Sequence, residues 1–292
     1  MNNQERIAAL DELFIEVGTY RYTKDYKELL AFVSMFPRIA PFNAMLVHVQ
    51  RPGSTFVAPA EYWYTLDRKI TPGANPIVIL RPFGPVAFVF DVGDTTGNKP
   101  LPDEVIYLFA NKGARISEKQ LDFFAESIKT DGVMLYKAVF GTQMAGYIER
   151  AEHYDKISVV RGKTKYEIKR YFNLVINKSL NSTEAFATAA HELGHLYCGH
   201  LGTPDKRLWR DRSGISLEQR EFEAESVCWL VCERLGIKNP SAEYLSGYTG
   251  KDGKIPDISV DAVLRAVGII EAELKSLKKP PKELTISKAV LE

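Results

Sequence analysis

Three of the five histidines in this 292-residue chain lie in one short segment, AHELGHLYCGH at 190–200. On an α-helix, residues four apart share a face with their side-chain origins about 6 Å apart, so the imidazoles of His191 and His195 can bind one metal ion. Glu192 lies about 100° around the helix axis, where a carboxylate can meet a metal-held water molecule. Zinc suits these residues because it takes nitrogen and oxygen ligands and has no redox chemistry. The segment therefore predicts a Zn²⁺ site with Glu192 as its catalytic base.

Two histidines leave the site incomplete, and the next helical segment offers the missing ligand. This segment, LEQREFEAESVCWLVCERLG at 217–236, carries Glu221, Glu223 and Glu225. Glu221 and Glu225 share a helix face with the segment's two cysteines, and carboxylates on a packed face are costly unless they are paired or bind metal. We predict Glu221 as the third ligand and Glu225 as the carboxylate that holds the other ring N–H of a ligand histidine. Glu223 stays an alternative ligand.

The remaining histidine and the cysteines of these segments have plainer interpretations. His200 lies five residues after His195, whereas the three-histidine version of this pattern needs six, so we predict a histidine in the last helical turn. Cys228 and Cys232 lack the short spacing of structural zinc sites and are predicted to be small buried hydrophobic residues. On the five-residue pattern alone, a core helix with hydrogen-bonded histidines stays open as an alternative.

Capping patterns indicate where the helices that carry these residues begin. Asn181 with Glu184 suits the start of the first helix. Ser216 with Gln219 forms a capping-box pattern before the second, which ends at a glycine. The strand-like segment YFNLVINKS precedes the first helix, and we predict that it offers an exposed edge to an extended peptide.

The rest of the chain mixes helical and strand signals, which predicts an α+β fold. Helical periodicity recurs in ERIAALDELFIEV, YKELLAFVSMF and NAMLVHVQ, and PIVILRPFGPVAFVF is typical of a β-hairpin. A capping box at Ser117 predicts a helix through Ile128, followed by the strands GVMLYK and AGYIER. The boundary between two domains is placed near residue 112. The lysine-rich segment KSLKKPPKE is predicted to be a solvated tail, with lipid or nucleic-acid contact as the alternative.

Composition limits the class of protein further. A net charge of +1 lacks the strong basic excess of a dedicated nucleic-acid binder, and three cysteines are too few for a disulfide framework. The start MNNQERIAALDELF does not resemble a signal peptide, and no apolar run approaches the ~20 residues of a membrane span. We expect a cytoplasmic protein with no membrane partner, and the sequence does not predict its oligomeric state.

The motifs together resemble two known families. HELGHLYCGH followed by EFEAESVCWLV resembles the ImmA/IrrE group of metallopeptidases, in which a His-Glu-x-x-His helix precedes a glutamate-bearing helix. A longer series of segments, from FNAMLVHVQRPG to SAEYLSGY, resembles ArdC-type antirestriction proteins in the same order. The resemblance implies an ArdC-like α+β N-terminal domain over 1–112 and a zincin-like metallopeptidase domain over 113–292. It also places Glu221 at the ligand glutamate, whereas Tyr248 stands where ArdC proteins have tryptophan.

Peptide hydrolysis at such a site needs a base and a donor for the oxyanion. Glu192 is the predicted base. The chain has no histidine after the HELGHLYCGH segment, so Tyr244 and Tyr248 are the predicted donors, with Arg207 and Arg210 as alternatives. A core or rim position is the plainer alternative for each tyrosine.

Two functions follow from the sequence. The first is a zinc-dependent metallo-endopeptidase that hydrolyses peptide bonds of an intracellular protein, and an intact Glu192 favours it because a structural zinc site needs no base. The second is an ArdC-type antirestriction protein that binds single-stranded DNA or a host enzyme, with a structural or vestigial zinc site. Tyr62, Trp63 and Tyr64 could stack bases, although EYWYTL on a helix is more often part of a core.

Overall fold

The computed structural model describes residues 23–81, 84–102, 105, 113–141, 144–153, 155–237 and 254–291. These residues fall into two compact units, one within 1–112 and 249–255, the other within 113–248 and 256–292. Each unit combines helices with small sheets, so the predicted α+β class is confirmed.

The α+β fold class does not identify the family of either part of the chain. An ArdC-like domain over 1–112 and a zincin-like domain over 113–292 stay predictions. The first predicted helix, ERIAALDELFIEV, lies outside the described residues. None of the described helices is both long and apolar enough to span a bilayer.

The first unit is built around a small antiparallel sheet. Its described elements are α1 (Thr23–Ser34), α2 (Pro41–Gln50), β1 (Val57–Ala58), α3 (Ala60–Thr65), β2 (Lys69–Ile70), β3 (Ile77–Arg81), β4 (Gly84–Asp91) and β5 (Thr95–Thr96). The order of the sheet is β1-β4-β3, and β2 pairs with β5. Strands β3 and β4 pair antiparallel from Ile77 opposite Val89, which confirms the predicted hairpin.

Trp63 belongs to the core of this unit. Its side chain is fully buried, and its Nε1 donates to the carbonyl oxygens of Ala58 and Phe90, each at 3.1 Å. The ring of Phe56 packs against its edge with centroids 5.6 Å apart. Base stacking on Trp63 is therefore ruled out, and the core interpretation of EYWYTL is correct for this residue.

The second unit carries the predicted site. Its described helices and strands are α4 (Glu118–Ile128), β6 (Val133–Ala138), β7 (Gly146–Arg150), β8 (Lys156–Arg161), β9 (Thr164–Lys169), β10 (Phe172–Asn177), α5 (Ser182–Tyr197), α6 (Leu217–Leu235), α7 (Val260–Lys275) and β11 (Thr285–Val290). Complete capping boxes at Ser117, Asn181 and Ser216 begin α4, α5 and α6, as predicted. Gly236, with φ of 71°, ends α6 in the left-handed conformation.

The strand before the site helix is central, so the prediction that YFNLVINKS offers an exposed edge is wrong. β10 pairs parallel with β6 on one side and antiparallel with β7 on the other. Its side chains Leu174 and Ile176 are buried, as expected for a strand with neighbours on both sides. Among the described residues, β7 is an edge of this sheet, and both β7 and β10 pack against α5.

A second sheet in this unit, of order β11-β9-β8, corrects the prediction of a lysine-rich tail. The segment KSLKKPPKE connects α7 to β11, and β11 pairs antiparallel with β9. Leu284, just after the segment, is 2% exposed and packs with Ile157 and Ile168. Lys275, Lys279 and Lys282 are solvent-exposed, but the segment that carries them is a connection within the fold.

Candidate metal centre

Gly194 allows the two site-bearing helices, α5 and α6, to approach closely. A Cβ atom at this position would lie 3.1 Å from Cα of Ala224 and 3.2 Å from Cβ of Val227. The absence of a side chain therefore brings the two backbones together at their crossing point. Side chains within one turn of this crossing can then meet between the helices.

His191, His195 and Glu221 meet there. Nε2 of His191 lies 3.7 Å from Oε2 of Glu221, and Nε2 of His195 lies 3.6 Å from Oε1 of the same carboxylate. One ligand atom from each residue lies within 4.8 Å of the other two. Ligands of a tetrahedral zinc ion stand about 3.4 Å apart, so two imidazole nitrogens and one carboxylate at these separations fit Zn²⁺ after small adjustments. Their roles as ligands, and the identity of the metal, stay predictions.

Glu225 lies behind His191. Its Oε2 is 3.0 Å from Nδ1 of His191, and the residue is 8% exposed. A carboxylate accepts at this position, so Nδ1 of His191 donates to Glu225, and Nε2 is the nitrogen that faces Glu221. The structure thus places Glu225 where the sequence analysis expected a carboxylate that orients a ligand histidine.

Charges in the cluster are unbalanced in a way that suits a divalent cation. Burial lowers the pKa of His191, but the carboxylates of Glu221 and Glu225 outweigh it and raise this pKa to about 10. Burial and the charge of His191 lower the pKa of His195 to about 3. The bond from His191 lowers the pKa of Glu221. The carboxylates therefore retain one proton on His191, a positive charge that a cation would supply instead.

The Glu192 carboxylate reaches β7. Burial raises its pKa, the nearby charge of Glu221 adds to that rise, and His191 opposes it. The backbone N–H of Ile148 in β7 also donates to this carboxylate and opposes the rise. Glu192 is thus held beside the imidazole of His191 by the edge strand of the sheet.

An open cleft of about 520 Å³ runs along the same face of α5. His191 and Glu192 lie at its wall, and small or apolar side chains form much of the remainder. The lining residues are Ala145, Leu180, Thr183, Glu184, Ala187, Thr188, His191, Glu192, Cys228 and Ile237. The candidate base is therefore accessible to a ligand of side-chain size, in surroundings less polar than water.

The other predicted site residues either lie outside the described part of the chain or have other partners. Tyr244 and Tyr248 lie outside the described residues, so their role as oxyanion donors stays a prediction. Arg207 is held elsewhere, by Asp205 at 2.6 Å and Glu283 at 3.1 Å, and Arg210 is exposed in the same loop. Arg207 is therefore engaged by two carboxylates, and the alternative that Arg207 or Arg210 stabilises the oxyanion stays a prediction.

The cysteines are small buried residues, as predicted. Cys228 and Cys232 are free and buried on α6. The Sγ atom of Cys228 lies 3.4 Å from the carbonyl oxygen of Ala187 and donates to it, which joins α6 to α5 beside the cleft.

His200 lies beyond the last turn of α5, which corrects its predicted position. Gly199, with φ of 85°, turns the chain back, and the N–H of His200 bonds to the carbonyl of His195 at 2.9 Å. This is the Schellman arrangement. It returns the His200 ring to His195, with 3.0 Å between their Nδ1 atoms. Helical spacing could not reveal this contact, because the helix ends first; the glycine before His200 was the available signal.

Glu223 is not available as the third ligand, so that alternative is wrong. The side chain is fully buried, and Arg212 donates to its two oxygens at 2.5 and 2.6 Å. His200 and the backbone N–H of Ser259 also contact it, at 2.8 and 2.7 Å. Cys198, His200 and Glu223 could be brought to one ion by distance alone, but the guanidinium already occupies the carboxylate.

Comparison with known proteins adds one likeness. The chain is similar to the metal-free crystal structure of the antirestriction protein ArdC from plasmid R388, at a TM-score of 0.37 and 15% identity, over 82% of this chain and 85% of that one. No protein-family model matches the sequence, and no curated protein matches it either. Identity this low and a TM-score this small do not establish a family, so the resemblance to ArdC and ImmA/IrrE proteins stays a prediction.

Proposed function

We propose that this protein is a zinc-dependent metallo-endopeptidase of the zincin kind. The observation that carries the proposal is the meeting of the His191 and His195 Nε2 atoms at the Glu221 carboxylate, beside a second carboxylate that lines an open cleft. A metal site that is only structural has no use for Glu192 in that position. Three protein ligands also leave a position for water or substrate, as catalytic zinc sites do.

Each residue of the cluster has a task in this proposal. His191, His195 and Glu221 hold the ion, which when bound would supply a Lewis acid for water and for the scissile carbonyl. Glu192 takes the proton of the attacking water at its carboxylate and passes it to the leaving amine. Glu225 keeps the proton of His191 on Nδ1 and so fixes the orientation of that ring.

The fold also offers a place for an extended substrate. In the described part of the sheet, β7 has β10 on one side only, and its Ile148 contacts the base. A peptide added along β7 would form backbone hydrogen bonds and run past Glu192. One of its side chains would then enter the cleft, where an apolar residue of moderate size fits the lining.

A pair of variants tests the proposal directly. Metal analysis of the purified protein is expected to find zinc, which His191→Ala removes. Glu192→Gln is expected to keep the zinc and to lower cleavage of a peptide library at least 100-fold, since general base catalysis supplies about 10²–10⁴. Glu218→Gln, at an exposed glutamate of α6 outside the lining of the cleft, is the control and should cleave as the parent does.

The antirestriction function stays a prediction, and the same variants separate it from the peptidase. Zinc-loaded protein that cleaves no peptide, yet binds single-stranded DNA or blocks restriction equally well with Glu192→Gln, would replace our proposal with that alternative. Cleavage that persists undiminished in Glu192→Gln would overturn the assignment of the base.

A further inference from the structure

A line of four buried or half-buried side chains leads away from the candidate metal centre behind His195. Nδ1 of His195 lies 3.0 Å from Nδ1 of His200, whose Nε2 lies 2.8 Å from Oε2 of Glu223. Arg212 closes the line with its two bonds to Glu223. His200 and Glu223 are 4% and 0% exposed, so water is excluded from the middle of this line.

Elementary hydrogen-bond chemistry fixes where the protons lie. An ionised carboxylate only accepts, and Arg212 keeps Glu223 ionised, so Nε2 of His200 must be the donor to it. A neutral His200 then has an unprotonated Nδ1, which can only accept. Nδ1 of His195 faces that acceptor at 3.0 Å and therefore donates. His195 is left with an unprotonated Nε2, which is the atom that faces Glu221.

We infer that His200 is a positioning residue for the metal ligand His195, relaying the orientation imposed by Glu223 and Arg212. This inference rests on the metal site of the proposed function and adds a residue to it. His191 is oriented by a carboxylate directly, whereas His195 is oriented by a carboxylate through a second imidazole. The turn at Gly199 makes this possible, because it returns His200 to the helix that it has just left.

The hydrogen bonds to Glu223 explain why these four side chains orient a metal ligand and do not bind metal themselves. Both oxygens of Glu223 have guanidinium donors, and Oε1 also accepts from the backbone N–H of Ser259 at the start of α7. A carboxylate with this many donors is fixed in place and electrically balanced. It can hold one ring N–H in a set direction, and it has no lone pair left over for a cation.

Two substitutions separate the relay from a role in packing. His200→Asn keeps an acceptor near the position of Nδ1 and loses the contact to Glu223. His200→Gln keeps a donor near the position of Nε2 and loses the acceptor for His195. Zn²⁺ affinity of the full chain is measured by competition with a chromophoric chelator, and the visible absorption of the Co²⁺-loaded protein reports ligand geometry.

We expect His200→Gln to bind Zn²⁺ about 10–100-fold more weakly than the parent, the range for loss of an orienting partner. His200→Asn should stay within about threefold and keep the Co²⁺ spectrum. Weaker Zn²⁺ binding by His200→Asn than by His200→Gln would overturn the inference, because it would show that only the contact to Glu223 matters. Equal affinities for both variants and the parent would also overturn it, because neither contact of His200 would then matter.

A measurement on the unaltered protein tests the inference even if the variants fail to fold. Nitrogen-15 NMR of the histidine rings in metal-free protein is expected to show His195 protonated at Nδ1 and His200 at Nε2. Protonation of His195 at Nε2 would overturn the inference. Normal Zn²⁺ affinity without peptide cleavage would overturn the peptidase proposal alone, so the two failures are distinguishable.

Discussion

The last two turns of α5, called here its cleft end and its far end, are held in opposite ways. The cleft end, with His191 and Glu192, is half-buried and has its orienting carboxylate, Glu225, in direct contact. The far end, with His195 and Tyr197, is enclosed by buried polar groups that reach α6, α7 and the loop between α5 and α6. In the proposed peptidase, one end has to stay open to substrate, whereas the other can be fixed by burial. Changes at the far end should therefore lower the free energy of unfolding more than changes at the cleft end do.

The largest effect is expected at the far end, from Arg212→Ala. This variant leaves Glu223 charged and fully buried without its main partner, which should lower the free energy of unfolding by about 3–5 kcal/mol. Denaturant unfolding measures it, and Arg210→Ala, an exposed arginine in the same loop, is the control. The double variant Arg212→Ala/Glu223→Gln should recover part of the loss. A double variant less stable than Arg212→Ala would contradict the explanation by charge.

Asp131, which accepts a hydrogen bond from the Tyr197 hydroxyl at 2.8 Å, gives the far end a dependence on pH. Burial raises the pKa of Asp131 from 3.8 to about 6, the charge of Glu273 adds to this, and Tyr197 opposes it. A raised pKa means stability that is complete below the unfolded value and lost as pH rises through the folded one. Relative to Asp131→Asn, the parent should therefore lose roughly 2 kcal/mol between about pH 4 and pH 6.5.

Unfolding curves across this pH range measure the difference between Asp131→Asn and the parent. Asp122→Asn, an exposed aspartate on α4, is the control and should run parallel to the parent. A constant difference between Asp131→Asn and the parent at all pH values would mean that Asp131 has an ordinary pKa in the folded protein.

An intermediate effect is expected at the crossing between the two ends, from Gly194→Val. The added side chain meets Ala224 and Val227, so overpacking should cost about 1–3 kcal/mol of unfolding free energy. The helices would separate, and Zn²⁺ affinity should fall as well. Gly214→Val is the control, because a Cβ there meets nothing within 4 Å. Unchanged stability and affinity would show that the crossing tolerates a wider separation.

The smallest effect on stability is expected at the cleft end, from Glu225→Ala. Zn²⁺ affinity should fall about 10–100-fold because His191 loses its orienting carboxylate. The free energy of unfolding of the metal-free protein should change by less than about 1 kcal/mol, since water from the cleft can replace the lost acceptor. Glu218→Ala, an exposed glutamate on α6, is the control. A stability loss as large as that of Arg212→Ala would remove the contrast between the two ends.

The sequence predicts the features of this site that depend on local spacing. The starts of α4, α5 and α6 follow from capping boxes because each involves only four neighbouring residues. The meeting of His191, His195 and Glu221 follows from two helical stripes and the assumption that they face each other. Glu225 was expected behind a ligand histidine, and the structure places it there, because it lies one turn after Glu221 on the same stripe.

Features that depend on distant pairing or on a change of chain direction were not predicted. The sequence predicts β10 as a strand. Its central position depends on pairing with β6 and β7, and the residues of β10 alone do not show which strands pair with it. His200 was assigned by helical spacing that no longer applies after Gly199. Glu223 was kept as a possible ligand because its partner Arg212 lies in a loop, where periodicity gives no position.

The hydrogen bond from Ser259 to Glu223 has a consequence for how the protein is made. The donor lies at the start of α7, the last of the described helices, more than thirty residues after its acceptor in sequence. A polypeptide still emerging from the ribosome would hold every proposed zinc ligand before it holds this bond. Full anchoring of His200 through Glu223 therefore has to wait until residue 259 has been synthesised, after all three proposed zinc ligands.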